Sequence, residues 1–105
     1  MGGLVQKSRT QILEDLETFM KRHASPRSDW YVGTAADARK EMFDVHGFKA
    51  SDVGLYRHAG SDSDAASLAG LLIKRGAKGD GTTKRGATNI FLFKMAAHTK
   101  PALGQ

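Results

Sequence analysis

Apolar positions along the chain fall into three helix-like stripes alternating with three extended runs. Ser8-Arg9-Thr10-Gln11 has the S-x-x-Q form in which a serine oxygen and a glutamine side chain each satisfy a backbone amide, so a helix should begin there. Ile12, Leu16, Phe19 and Met20 follow as one apolar stripe, with Glu14, Asp15, Glu17 and Lys21 mostly on the other side. Lys21, Arg22 and His23 close the helix, where its dipole favours positive charge. A polar loop with Pro26 ends it. Trp30-Tyr31-Val32, aromatic and β-branched, predicts a strand of about four or five residues closing at Gly33. Thr34 to Asp37 can cap a second helix, roughly Ala35 to Val45, with Ala38, Met42 and either Phe43 or Val45 on its apolar side. Gly47 stands where a left-handed C-cap is wanted.

Val53 to His58 predicts a second strand. Ser61 to Asp64 is rich in capping residues, and Ala65, Leu68, Ala69 and Leu72 form a narrow stripe of small members, so a third helix should lie close against a sheet and end at Gly76. Gly76 to Thr88 holds four glycines with no apolar period and is expected to be a mobile loop. Asn89 to Met95 resumes as a strand, with Ile90, Leu92 and Lys94 on one face and Phe91, Phe93 and Met95 on the other. The order is α-β-α-β-α-β: an α/β fold with a small three-stranded sheet flanked by three helices, in a single domain spanning residues 1–105. Residues 1–7 and 97–105 are expected to be loose ends.

Composition changes this picture little, but charge adds to it. The apolar fraction of 40% and charged fraction of 26% are those of an ordinary globular protein. Absence of cysteine removes disulfide frameworks and thiolate chemistry, and fits a reducing compartment. Apolar runs fall far short of the roughly 18 residues of a membrane span. The start lacks a signal-peptide layout, so a cytoplasmic chain is expected. The net charge of +5 is uneven. From Lys74 onward, seven basic residues face one acid, Asp80. Lys74, Arg75, Lys78, Lys84 and Arg85 are therefore candidate nucleic-acid contacts, with simple solubility as the plainer reading. The loop glycines would let backbone amides approach an anion, but no G-x-x-x-x-G-K-[ST] sequence is present, so a nucleotide P-loop is excluded.

The chemistry-bearing stretch is Trp30 to His46, WYVGTAADARKEMFDVH. Arg39 and His46 are seven residues apart, about two turns, and can share a helix face. A tyrosine or histidine that handles a proton, beside an arginine that binds phosphate bidentately, suits phosphodiester hydrolysis. The bland alternative is a pair of solvated surface side chains. Trp30 is expected in the core, and Tyr56, Phe91 and Phe93 either stack on bases or fill the interior. His23, His58 and His98 lack ligand spacing, and no metal site is read from the residues.

WYVG-(x)3-D-(x)5-F-(x)2-HG, followed by Tyr56-Arg57, an alanine-rich helix, a glycine-rich loop and an aromatic strand, resembles the GIY-YIG nuclease superfamily. It is most similar to a group of small uncharacterised bacterial and phage proteins of that fold, over about Asp29 to Pro101. The resemblance implies a GIY-YIG-like fold and matches Tyr31, Gly33, His46 and Tyr56 to family positions, with one divalent cation, Mg or Mn, if the site is active; Arg39, nominated by its spacing from His46 and two residues short of the family arginine position, completes the candidate set of Tyr31, Arg39, His46 and Tyr56. The resemblance also marks departures. No GIY strand precedes Trp30; the family arginine position is Glu41; and the position of the family's metal-binding glutamate is Ala69, which has no oxygen to offer. Asp62 or Asp64 is a substitute ligand only if freed from capping. The expectation is a degenerate domain that binds DNA or RNA through its basic C-terminal third without efficient cleavage. Alternatives are an active metal-dependent endonuclease with a rearranged site, and a phage- or plasmid-type inhibitor module with a protein partner. Oligomeric state is not readable.

Overall fold

The computed structural model describes residues 8–23 and 25–99. The expected loose ends at residues 1–7 and 100–105 lie outside that range. Helix α1, Arg9–Arg22, starts on the expected box: the Ser8 hydroxyl accepts from the Gln11 amide at 3.2 Å, and the Ser8 amide donates to Gln11 Oε1 at 2.9 Å. Its stripe of Ile12, Leu16 and Met20 is buried.

Strand β1, Trp30–Ala35, is buried along its whole length. Thr34, expected in the cap, and Ala35, expected to open the helix, therefore belong to the strand, and α2 spans only Ala38–Lys40, with the Asp37 carboxylate accepting from the Lys40 amide. The helix then widens into a π-turn, Glu41–Val45. Gly47 has the expected positive φ, +70°. Strand β2 is Gly54–His58, helix α3 is Asp62–Lys74, strand β3 is Lys78–Gly79 and strand β4 is Asn89–Lys94.

The sheet has four strands, not three, in the order β2-β4-β1-β3. The stretch expected to be a mobile loop supplies the extra one. Lys78 and Gly79 pair in parallel with Tyr31 and Val32, and the Asp80 amide donates to the Val32 carbonyl at 3.1 Å. β4 lies antiparallel between β1 and β2, pairing Phe93 with Tyr31 and Phe91 with Gly33 on one side, and Phe91 with Tyr56 on the other.

Alternation along the strands divides the interior in two. Trp30, Val32, Ile90 and Leu92 pack with α1 and α3, including Leu68, Ala69 and Leu72. Tyr31, Ala35, Phe91 and Phe93 face the other way, under Ala38, Met42 and Phe48. α1 and α3 cover the first of these faces, and among the described residues α2, its π-turn and Phe48 cover the other. A hollow opens over this second face. Residues 97–99 of the expected loose tail form a turn, in which the Thr99 hydroxyl accepts from the Ala96 amide and donates to its carbonyl, while His98 meets Asp52. No helix among the described residues is long and apolar enough to cross a membrane.

Glu17 ties α1 to the rest of its layer. Its carboxylate meets Arg27 at 2.6 Å and Arg75 at 2.7 Å. Burial raises its pKa, but the two guanidinium hydrogen bonds outweigh that and hold it below the ordinary 4.5. A depressed carboxylate pKa contributes stability above its unfolded value and loses it as pH falls through the folded one. Because both arginines are well exposed, Glu17→Gln is expected to cost only about 1 kcal/mol at neutral pH. Urea midpoints of the two proteins should converge in acid; a gap that persists there would rule the carboxylate out as its source.

Candidate functional site

β1 delivers Tyr31 to the face under α2, where its register partner Phe93 and the neighbouring Phe91 form an aromatic floor. The rings of Phe91 and Phe93 lie 4° from parallel, 6.3 Å apart. Gly33 permits this arrangement: a Cβ there would stand 2.6 Å from the Phe91 ring. His46 rests on the floor, 5.4 Å from Phe91 and 5.5 Å from Phe93, with its ring 5.1 Å from that of Tyr31. It is only 2% exposed.

The π-turn sets what accompanies His46. Its amide donates to the Glu41 carbonyl, five residues back, at 3.2 Å. In an α-helix residues five apart stand about 140° out of line. The wider turn removes much of that offset, and His46 Nε2 comes to lie 3.6 Å from Glu41 Oε2. Glu41 thus faces the site, bearing a carboxylate.

A hollow of about 420 Å³ opens above this pair, lined by Tyr31, Glu41 and His46 and, from the β3 side, Lys78, Asp80 and Lys84. Lys78 stands beside Tyr31 in the cross-strand register. Asp80 accepts from the Thr82 amide at 2.8 Å and pairs with Lys84 at 3.4 Å. Hydrogen bonds from Thr82, and then the Lys84 charge, hold its carboxyl below the usual aspartate value. The Tyr31 phenol moves the opposite way: burial raises its pKa above 10.0, and the negative charges of Asp80 and Glu41 raise it further. Tyr31 is therefore a protonated hydrogen-bond donor at neutral pH.

The four residues singled out in the sequence separate into two pairs. Tyr31 and His46 share the hollow just described. Arg39 and Tyr56 lie on the other side of α2, along a second hollow with Phe43, Phe48 and Arg57. Arg39 does not share the His46 face as its spacing suggests; its guanidinium sits over the Phe43 ring, 5.0 Å from the centroid. Tyr56 is 46% exposed, while Phe91 and Phe93 are buried, so only the tyrosine is open for stacking.

The five basic candidates separate as well. Lys78 and Lys84 line the Tyr31 hollow; Lys84 and Arg85 line an adjoining one together with Lys40 and Glu41. Arg75 is paired with Glu17 in the α1–α3 layer, and Lys74 stands in the last turn of α3. Lys40, Glu41 and Asp80 complete the site unanticipated. No helical period could have found Glu41, because its partnership with His46 depends on the π-turn.

The side chains present do not suit the divalent cation implied by the resemblance. Ala69 is fully buried in the cluster on the opposite face of the sheet from Tyr31. Asp62 is engaged at the start of α3, accepting from the Gly86 amide at 3.1 Å. Among the described residues no three His, Asp or Glu side chains gather as a metal set. Neither a family model, nor a curated protein, nor a solved structure matches this chain.

Proposed function

We propose that this domain binds nucleic acid along the rim of the Tyr31–His46 hollow, as a nuclease-like domain without the metal-dependent reaction. One observation carries the reading: Lys40, Lys78, Lys84 and Arg85 border two adjoining hollows that share Glu41 and Lys84. Among the described residues Lys40, Lys78 and Arg85 form no ion pair, so their charge is available to phosphates. Lys84 is partly neutralised by Asp80 and acts mainly to shape the rim. The Tyr-Val-Gly strand leading to a helix that brings His46 beside Tyr31 supports the likeness to GIY-YIG nucleases. Glu41 and Ala69 favour binding over the family's cleavage reaction.

Fluorescence anisotropy with labelled single-stranded RNA, single-stranded DNA and duplex tests it. Affinity should fall linearly with salt on logarithmic axes, by a slope of about 0.7 per phosphate contact for single strands. Lys78→Ala and Arg85→Ala should each reduce that slope by about the share of one contact. Lys74→Ala, away from the rim, should change it much less. Absence of binding to all three probes at low salt would overturn the reading, and a co-purifying partner resistant to nuclease treatment would replace it with a protein-binding one.

A further inference from the structure

We infer that the hollow beside Tyr56 seats an unpaired base of a single-stranded nucleic acid, whose backbone runs around α2 to the lysine-bearing rim. The inference rests on the nucleic-acid reading above and deepens it by naming the class of strand and a second contact.

Among the described residues Tyr56 is the one large apolar side chain left exposed, at 46%. It stands on β2, the outer strand of the sheet, opposite Phe91 in the register. A single exposed ring is ordinary on a protein surface, and what sets this one apart is its surroundings. It borders a hollow of about 640 Å³, whose other residues include Arg39, Phe43 and Phe48. The Arg39 guanidinium lies over the Phe43 ring, and Phe43 meets Phe48 edge-on, with 5.3 Å between centroids. Phe48 in turn occupies the bare backbone of Gly54, where an added Cβ would stand 2.7 Å from its ring. Gly54 and Tyr56 are two apart on one strand and so share a face. That face therefore carries a buried ring at Gly54 and an open one at Tyr56, beside a guanidinium backed by an aromatic ring. Flat faces of both kinds are those on which bases stack.

The neighbouring charges decide the ligand. Arg39 and Lys40 are consecutive on α2, about 100° apart around its axis, and so reach different surfaces. Arg39 borders the Tyr56 hollow, Lys40 borders the one it shares with Lys84 and Arg85, and both border a shallow groove between the two. The concave surface is therefore continuous from Lys78 past Lys84, Arg85 and Lys40 to Arg39 and Tyr56. Among the described residues Arg39 forms no ion pair, so its charge adds to the track. Of the acids along this stretch, Asp37 accepts from the Lys40 amide, and Asp52 accepts from the Lys49 amide and pairs with His98. Asp44 borders the groove as well and weakens the hold on phosphate there. A backbone can follow the positive charges while one base turns out onto Tyr56. Only a single strand offers such a base, because a duplex keeps its base faces inside the stack.

The test is fluorescence anisotropy at fixed salt with labelled oligothymidylate, oligouridylate, an abasic strand and a duplex, each of about 12 nucleotides. The two strands with bases should bind about 5-fold or more tightly than the abasic one, the return expected from one stacked base. The tighter of the two identifies the strand as DNA or RNA. Tyr56→Ala should erase the preference for bases and leave duplex affinity unchanged, while Tyr56→Phe, which keeps the ring, should retain the preference. Lys78→Ala should lower the salt slope by the share of one contact and leave the preference intact. Irradiation of a strand carrying 5-iodouracil should place its adduct on Tyr56, read by mass spectrometry of the digested protein. Strands that bind with no preference over the abasic one overturn this inference and leave the rim proposal standing; failure of every probe to bind overturns the rim proposal itself. A preference that survives Tyr56→Ala, an equal loss on the duplex, or an adduct confined to other residues would also overturn the base site. So would a dimer in sedimentation that Tyr56→Ala dissociates, since the ring would then belong to a second copy of the chain.

Discussion

Phe93→Ala is expected to lower stability by about 3–5 kcal/mol, the range for truncating a buried aromatic side chain. Phe93 is fully buried in the middle of β4, and its ring lies 5.4 Å from that of Tyr31, 5.5 Å from His46, 6.0 Å from Phe48 and 6.3 Å from Phe91. Its neighbours come from β1, β4 and the segment after the π-turn, which cannot all move in to fill the void. A domain of this length has a total stability of about 5–15 kcal/mol, so the loss would consume a large part of it. Because the ring is also the floor beneath Tyr31 and His46, the hollow should lose its shape even where the chain still folds. Urea denaturation measures the first effect, and the anisotropy titration on the folded fraction measures the second. A loss below about 1 kcal/mol would mean that the floor can rearrange around the missing ring.

Gly79→Ala is expected to detach β3 from β1 rather than to unfold the domain. Gly79 has a φ of +153°, and an added Cβ would stand 2.0 Å from the Val32 carbonyl oxygen. That oxygen belongs to the central strand and accepts from the Asp80 amide, so it has nowhere to retreat. Backbone strain of this kind costs about 1–3 kcal/mol before the collision is added. β3 pairs only two residues with β1, so releasing it is the cheaper response. The amide of Asp80 should then exchange its hydrogen rapidly while the amides of β4 remain protected. Nucleic-acid affinity should fall by about tenfold, because Lys78 and Lys84 would no longer be held beside Tyr31. Gly86→Ala is the matched control: it carries a positive φ, +78°, but an added Cβ meets nothing within 4 Å. Unchanged exchange at Asp80 in Gly79→Ala would show that β3 tolerates the side chain.

These expectations differ in how much of them could be read before the structure. The start of α1 is written locally, because Ser8 and Gln11 satisfy each other's amides within four residues and the stripe of Ile12, Leu16 and Met20 follows from helical geometry. The two faces of β4 are equally local, since alternation needs only the strand itself. Tyr31 and His46 could be nominated from a short motif, and they do meet.

Distant parts of the chain decided the rest. β3 has no apolar period because Lys78 and Gly79 are both exposed; it is a strand only because the edge of β1 was open beside it. The expected end of β1 was too early because Thr34 and Ala35, polar or small in sequence, are held by Ile90 and Asn89 across the ladder. Arg39 could be placed on the His46 face only by assuming 3.6 residues per turn, an assumption the π-turn breaks.

The amino-acid sequence by itself determined the helical stripes, the aromatic strands and the caps, since each depends on spacings within a few residues. Only the tertiary structure decided that Glu41 joins His46, that Arg39 and Tyr56 stand apart from them, and that Lys78 and Lys84 arrive at the same hollow. The physical reason is that a widened helical turn and a borrowed sheet edge depend on what packs against them, and no local pattern of residues encodes either.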